Sequence, residues 1–471
     1  MGAIDRGLRS ITRPANPGAA AIGLIGNTPL VEVTRMDAGL CRLFVKLEGG
    51  NPGGSIKDRP ALTMVEALEK QGLLAPGGTL VEATAGNTGL GLAVVAVAKN
   101  YRLILVIPDK MSREKIFHLR AMGAEVVMTR SDVGKGHPEY YQDMAERIAA
   151  NTPGAVYVNQ FANPANPLAH ERGTAPEIWR QMDGDVDAVV CAAGSCGIVT
   201  GISRFFAVAS PSTDIVLADP VGSILVDVVQ GRQPGPVGSW LVEGIGKDFV
   251  PPVADLSRVT HAYAVSDGES FAAARALLRR EGLLVGSSSG TILAAALRYC
   301  REQTTSRRVV ALSPDSGSKY LSKMFNDYWM IDQGFIKRPR MGDLRDLVAR
   351  RHDQGATVVV APDDTLTIAW SRMRLYDVSQ LPVLEGDRPV GMIDESDLLL
   401  AVSNDPARFT APVWSAMNAA LKTVSVDATI ADLLALFAQD LVAVVMDHGQ
   451  FIGLITRTDV IDYLRGTIDR A

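Results

Sequence analysis

The chain has 471 residues, 47% hydrophobic and 21% charged, a globular composition too long for one ordinary core. A net charge of −5 without a basic block excludes a nucleic-acid footprint. The longest apolar runs, such as Leu92 to Ala98, fall far short of the roughly 20 residues that a membrane span needs, so no membrane partner is expected. Residues 1–20 form a tail in which Arg6, Arg9 and Arg13 precede no continuous apolar stretch. It does not read as a secretory signal, and a cytoplasmic location is expected. Cys41, Cys191, Cys196 and Cys300 are scattered, with neither zinc-site pairs nor disulfide density, and read as reduced thiols without a metal.

From 21 to 335, short β-branched runs alternate with amphipathic segments. Strands are predicted over Leu103 to Ile107, Glu125 to Met128, Ala188 to Cys191, Ile215 to Ala218 and Arg308 to Leu312. Helices are predicted over Pro60 to Gln71 and Ser112 to Ala121. The alternation implies an α/β domain with a mainly parallel sheet, its ligand beyond the strands' C-terminal ends. The basic, proline-containing stretch Ile336-Lys337-Arg338-Pro339-Arg340 marks a linker over 336–342. Beyond it, Gly391-Met392-Ile393-Asp394-Glu395-Ser396-Asp397-Leu398 recurs as Gly453-Leu454-Ile455-Thr456-Arg457-Thr458-Asp459-Val460. Residues 343–471 are therefore expected to hold two copies of a small βαββα-like unit, about 343–403 and 412–466, each covering the other's apolar face.

Four segments carry chemistry. Gly53-Gly54-Ser55-Ile56-Lys57-Asp58-Arg59-Pro60 is a glycine turn that delivers a lysine to a helix start. The surroundings of Lys57 do not match the GxxxxGK[ST] phosphate loop. They suit either a surface lysine or a desolvated amine that attacks an aldehyde. Glu82 to Gly91, with Thr84, Ala85, Gly86, Asn87 and Thr88, offers backbone N–H groups at a helix N-terminus, suited to a carboxylate or to plain close packing. Ala192 to Gly201, directly after a predicted strand, is suited to cradling a phosphate. The fourth is Gly286-Ser287-Ser288-Ser289-Gly290, which alone reads as a polar linker.

In this order and spacing the four segments resemble the fold-type II pyridoxal-phosphate enzymes of the cysteine synthase and cystathionine β-synthase family. The resemblance spans Ile22 to Phe335 and includes Ile25-Gly26-Asn27-Thr28-Pro29-Leu30, Gln160-Phe161 with Asn163 to Pro167, and Pro314-Asp315-Ser316. It implies two α/β subdomains followed by a C-terminal α+β Bateman module of tandem CBS domains. It implies pyridoxal 5'-phosphate on Lys57 as a Schiff base, with Asn87 at the ring hydroxyl and Ser288 at the pyridine nitrogen. Gly194, Ser195, Cys196, Gly197 and Ile198 would hold the phosphate, although Cys196 and Ile198 replace a glycine and a hydroxyl residue common there. Thr84, Ala85, Gly86, Thr88, Gln160, Glu243 and Gly244 would meet substrate. A serine at the ring nitrogen leaves a restrained electron sink, which favours β-elimination and replacement over transamination.

Within the family, Trp240 to Phe249 resembles the VEGIGxDF pattern of the cystathionine-forming members, with Lys247 where the animal enzymes have tyrosine. A carboxylate at Glu243 can meet the amino group of homocysteine or salt-bridge its own loop. The implied reaction joins L-serine or O-acetylserine to L-homocysteine, with hydrogen sulfide from cysteine plus homocysteine as a side reaction. The alternatives are an O-acetylserine-dependent cysteine synthase and a non-catalytic adenosyl-ligand sensor. No Cys or His precedes Cys41, so the haem segment of the animal enzymes is not expected. In the Bateman module, Thr456 and Asp459 have the spacing of a ribose-binding site for an adenosyl ligand, while Asp394 before Asp397 puts a carboxylate in the equivalent place. Relatives are dimers, and a homodimer or higher homo-oligomer is expected.

Overall fold

Leu103, Leu105 and Ile107 face one apolar layer while Ile104 and Val106 face another, all five nearly inaccessible to solvent. A strand covered on both faces reads as a continuous apolar run, and this one lies at the heart of the first of two units. The computed structural model describes residues 21–84, 86–109, 113–337, 341–439 and 442–468. The chain divides between Phe325 and Asn326, ahead of the linker expected over 336–342. Arg338, Pro339 and Arg340 of that expected linker lie outside the described residues.

The first unit runs through β1 (Leu30–Val33), β2 (Arg42–Leu47), α1 (Asp58–Lys70), β3 (Thr79–Ala83), α2 (Asn87–Lys99), β4 (Arg102–Pro108), α3 (Arg113–Ala121), β5 (Glu125–Thr129), α4 (Tyr141–Asn151) and β6 (Ala155–Tyr157). It continues with α5 (Ala165–Ala169), α6 (Ala175–Gln181), β7 (Ala188–Ala192), α7 (Gly197–Ala209), β8 (Asp214–Pro220), α8 (Leu225–Val229), β9 (Val259–Val265), α9 (Asp267–Glu281), α10 (Ser287–Arg301) and β10 (Arg308–Ser313). The five strands predicted from the sequence are present, each extended by one to three residues. The predicted helix starts shift to Asp58 and Arg113, and Ser112 lies outside the described residues.

Two sheets result. A smaller one, ordered β5-β4-β3-β6, is parallel throughout. One of its faces packs on α1 and α2, and the other on Ala145 and Ala149 of α4. The larger sheet, ordered β1-β2-β10-β7-β8-β9, is parallel except for the edge strand β1. Local signals agree with the elements: α9 starts with a reciprocal capping box between Ser266 and Glu269 and ends at left-handed Gly282.

A buried charge network underlies the start of α1. The Arg59 guanidinium reaches Glu48 at 2.7 Å and Glu177 at 3.0 Å, and Lys46 pairs with Glu177 as well. Thr28 Oγ1 donates to Glu48 Oε1 at 2.6 Å, and Gln181 Nε2 donates to the Thr28 carbonyl at 2.9 Å. Each buried charge therefore has partners, without which burial would be prohibitive.

The second unit repeats one motif. It contains α11 (Asp327–Asp332), then α12 (Leu366–Tyr376), β11 (Gln380–Glu385), β12 (Arg388–Asp394) and α13 (Glu395–Val402) as its first copy. β13 (Thr423–Ser425), α14 (Ile430–Phe437), β14 (Ala443–Asp447), β15 (Gln450–Ile455) and α15 (Arg457–Ile468) form the second. Val360, bridged to Val383, stands where β13 does in the other copy. Leu384 from one copy packs with Val444 and Phe451 from the other. Leu344, Leu347 and Val348, expected to begin the first repeat, instead enter the apolar core of the second.

Candidate active site

The strands' C-terminal ends open on a cavity of about 700 Å³. Ala83 closes β3, Pro108 closes β4 and Ala192 closes β7, and all three line it together with Leu312 on β10. Lys57 reaches in from the turn before α1. Its N–H donates to Ser55 Oγ at 3.2 Å and its carbonyl accepts from the Ala61 N–H at 3.0 Å. The Asp58 carboxylate accepts from the Gly53 N–H and closes the glycine turn. Burial lowers the Lys57 amine to about 8, with Cys196 opposing and the charge of Lys247 adding to the shift. A useful fraction is then neutral near pH 7, as a nucleophilic amine or a general base requires.

Thr84, Gly86, Asn87, Thr88 and Gln160 line one end of the cavity. Thr88 Oγ1 donates to Gln160 Oε1 at 2.7 Å, and the Gly86 N–H donates to Thr84 Oγ1 at 3.3 Å. Ala85 lies outside the described residues. Asn87 is held from both sides: its Nδ2 donates to Asp315 Oδ2 at 2.9 Å, and its Oδ1 accepts from Lys319 Nζ at 2.7 Å. The Tyr320 hydroxyl donates to the same Asp315 oxygen at 2.8 Å.

Gly194, Ser195 and Ile198 line the cavity, while Cys196 and Gly197 complete the buried turn into α7. A Cβ on Gly194 would stand 2.3 Å from the Gly244 carbonyl, and one on Gly197 would stand 2.1 Å from Asn166 Oδ1. Both positions need glycine for close approach. Cys196 has φ +64°, a left-handed conformation that costs a non-glycine residue roughly 1–2 kcal/mol, which accounts for the glycine usual there. Burial pushes its thiol up to about 12, so it is no nucleophile. Ser195 Oγ accepts from Asn166 Nδ2 at 2.9 Å. Ser288 is buried in the first turn of α10 and lines the cavity.

The opposite wall is Gly238 to Lys247. The Glu243 N–H donates to Ser287 Oγ at 3.1 Å. One Glu243 oxygen accepts from Lys323 Nζ at 2.7 Å and the other is paired with Lys115. Glu243 is thus ion-paired to Lys115 of α3 and to Lys323 beyond β10, both outside its own loop. Lys115, Lys319 and Lys323 were not singled out from the sequence. The latter two follow closely on Pro314-Asp315-Ser316, which was the available signal.

The chain matches the family described as pyridoxal-phosphate dependent enzyme over residues 22–315, and the CBS domain family over residues 354–404 and 413–466. It is 39% identical over 434 residues to cystathionine β-synthase of Rattus norvegicus, covering 90% of this chain and 76% of that one. With cystathionine β-synthase of Dictyostelium discoideum it shares 35% identity, over 93% of this chain and 91% of the relative. The chain belongs to the cystathionine β-synthase family of pyridoxal-phosphate-dependent enzymes. Members of this wider enzyme class extend beyond cystathionine synthesis: cysteine synthase A of Escherichia coli (strain K12) is 39% identical over 63% of this chain and 92% of its own. A solved hydrogen sulfide-producing enzyme from Fusobacterium nucleatum is similar in structure, with TM-score 0.60, 38% identity, and coverage of 64% of this chain and 99% of its own.

Membership fixes the fold, two α/β subdomains and tandem CBS domains, and the chemistry, β-replacement on pyridoxal phosphate. The residues present fit that cofactor. Lys57 offers a partly neutral amine to its aldehyde, the turn at Gly194 to Ile198 offers a phosphate the N-terminus of α7, and Ser288 offers a hydroxyl for the ring nitrogen. A cavity of this size holds the cofactor together with amino-acid substrates.

In the second unit, Asp459 Oδ2 accepts from the Thr456 N–H at 2.7 Å and from Thr456 Oγ1 at 2.6 Å. Asp397 and Asp394 make the reciprocal pair at the start of α13. In both copies the motif caps a helix. Among the described residues no His, Cys, Asp and Glu cluster could hold a metal ion, and no helix is long and apolar enough to cross a membrane.

Proposed function

We propose that the chain joins L-serine or O-acetylserine to L-homocysteine, giving L-cystathionine. The carrying observation is the cavity's charge: Lys57, Lys115, Lys247 and Lys323 line it against the single acid Glu243. Two loops at helix N-termini already serve a phosphate and one carboxylate. The remaining positive charge suits a second amino acid better than it suits sulfide. The relatives named cystathionine β-synthase, whose similarity runs through both units, support the same reading.

Pyridoxal phosphate, when bound, supplies the electron sink that lets the donor's Cα–H and Cβ–O bonds break. Lys57 Nζ is the base for the donor's α-proton and the acid for the departing β-oxygen, since its pKa of about 8 makes both protonation states accessible. Thr84, Gly86 and Thr88 orient the donor carboxylate, with Thr88 fixed by Gln160. The wall at Gly238 to Lys247 limits water and receives the acceptor.

A second reading, O-acetylserine-dependent cysteine synthesis, is favoured by the likeness to cysteine synthase A, and the likeness to a hydrogen sulfide-producing enzyme extends it to sulfide release. Serine, O-acetylserine and cysteine, each assayed against homocysteine and against sulfide, separate these. Cystathionine as the main product supports the proposal, and cysteine from O-acetylserine with no cystathionine replaces it. For the second unit, an adenosyl ligand at Thr456 and Asp459 is proposed as regulator.

A further inference from the structure

Of the four lysines in the cavity, three have evident occupations. Lys57 carries the chemistry, and Lys115 and Lys323 share the Glu243 carboxylate. Lys247 has no such partner: among the described residues no carboxylate forms an ion pair or hydrogen bond with its amine. It lies instead over two aromatic faces, 4.3 Å from the centroid of Phe161 and 5.0 Å from that of Phe249. Phe161 directly follows Gln160, the residue that binds Thr88 of the donor loop. The amine thus lines the cavity beside the segment that carries Gln160.

The backbone at this residue is anchored on both sides. The Lys247 N–H donates to Ser223 Oγ at 2.9 Å, and its carbonyl accepts from the Ile224 N–H at 3.0 Å. One residue earlier, the Gly246 N–H donates to the Ala193 carbonyl at 2.9 Å, beside the phosphate turn. The Phe161 and Phe249 rings pack edge to face at 5.9 Å and leave the ammonium a preformed platform. Burial lowers the amine's pKa, while Asp248 and Cys196 act through space to raise it. An arriving carboxylate would supply the direct partner that Asp248, acting only through space, does not.

We propose that Lys247, unpaired in the cavity above Phe161 and Phe249, binds the α-carboxylate of the acceptor amino acid and so selects an amino-acid thiol over sulfide. The other anions have their own donors: the phosphate has the N-terminus of α7, and the donor carboxylate has the loop leading into α2. This inference rests on the acceptor reading above. It makes position 247 a specificity determinant, the place where this chain departs from the tyrosine of the animal enzymes.

The test needs the wild-type holoenzyme, Lys247→Met, which keeps the stem over the rings, and Lys247→Arg. Acceptors are homocysteine, sulfide and 3-aminopropanethiol, which is homocysteine without its carboxylate. Wild type is expected to prefer homocysteine to 3-aminopropanethiol, and Lys247→Met to raise KM for homocysteine about tenfold or more. KM for sulfide should change far less, the preference between the two thiols should disappear, and Lys247→Arg should restore it. Cofactor affinity, read by absorbance titration of the apoenzymes, should match wild type. Equal use of the two thiols by wild type overturns the proposal without any substitution. So does an unchanged KM for homocysteine in Lys247→Met, or a loss of cofactor affinity, which would assign the lysine to the phosphate. If wild type makes no cystathionine at all, the acceptor reading fails and this proposal with it.

Discussion

Lys319 Nζ donates to Asn87 Oδ1 at 2.7 Å and also to the carbonyls of Gly53 and Gly54 at 3.3 and 3.2 Å. One ammonium thereby ties the turn that carries Lys57 to the residue expected at the cofactor ring. It also fixes the Asn87 amide, whose Nδ2 must then face Asp315. Lys319→Met is expected to weaken pyridoxal phosphate binding by about tenfold or more, the loss of a hydrogen bond from a charged donor. Equilibrium absorbance titration of the apoenzyme measures this. Wild-type affinity in a correctly folded variant would leave Lys319 a structural clip only.

Lys57→Ala is expected to abolish turnover and the visible absorbance band of the bound cofactor. The pH dependence follows from the lowered amine. Burial, the largest cause, disfavours the charged form, so the reactive neutral amine grows as pH rises and levels off above about 8. The rate at which wild-type apoenzyme takes up pyridoxal phosphate should follow that curve from about pH 6 to about pH 9. A flat profile over this range would show that the lysine is not the titrating group.

Glu177 accepts from both Arg59 and Lys46 in a region closed to solvent. Burial opposes its ionisation, but Arg59 and Lys46 outweigh burial and hold the carboxyl at about 2. A depressed carboxyl stabilises the fold above its unfolded pKa, near 4.5, and that contribution is lost as pH falls toward 2. Glu177→Ala leaves the buried Lys46 without its ion pair and Arg59 with Glu48 alone, and should cost about 3–5 kcal/mol, measured by denaturant unfolding near neutral pH. A cost below about 1 kcal/mol would mean that water or rearrangement satisfies Arg59 and Lys46.

Much of this architecture is legible in the residues. The run Leu103 to Ile107 announces a strand buried on both faces, and the loops at Lys57, Asn87, Gly194 and Ser288 do converge on one cavity. Two kinds of feature escape a linear reading. β1, β2, β3, β6 and β9 escape it because edge position, polar residues such as Lys46 and Glu82, or short length break the apolar pattern; the assembled sheets bury β2 and β3 and leave β1, β6 and β9 half-buried. Long-range partners were missed as well. Nothing near Glu243 in sequence indicates Lys115, which pairs with it from 128 positions away. The Thr456 and Asp459 spacing suits a ligand motif and a helix cap alike, and the structure forms the cap.

Glu243→Gln tests the ion pairs to Lys115 and Lys323. With its oxygens held by Lys115 and Lys323, the carboxylate positions the wall for any acceptor, so homocysteine-dependent and sulfide-dependent turnover should fall by similar factors. Steady-state kinetics with both acceptors decides. A loss confined to homocysteine would assign Glu243 to that substrate's amino group instead.

Asp459 and Asp397 close the capping boxes that Thr456 and Asp394 open at the starts of α15 and α13, yet only one of them is expected to serve a ligand. Asp459 is capped by a hydroxyl partner, Thr456, whereas Asp397 faces the carboxylate of Asp394, which would repel the phosphate or polarised ribose of an adenosyl compound. Removing either aspartate opens the same half of a capping box, so stability cannot distinguish them but ligand binding can. Calorimetric titration with S-adenosylmethionine and with AMP is expected to give at most one site per chain in wild type. Asp459→Ala should abolish that site and Asp397→Ala should retain it. Binding that survives in Asp459→Ala, or that disappears only in Asp397→Ala, sinks the assignment, and no binding to wild type leaves the second unit without an adenosyl ligand. Where binding is found, the ligand must shift substrate affinity by the same factor by which substrate shifts ligand affinity if the site is allosteric for binding.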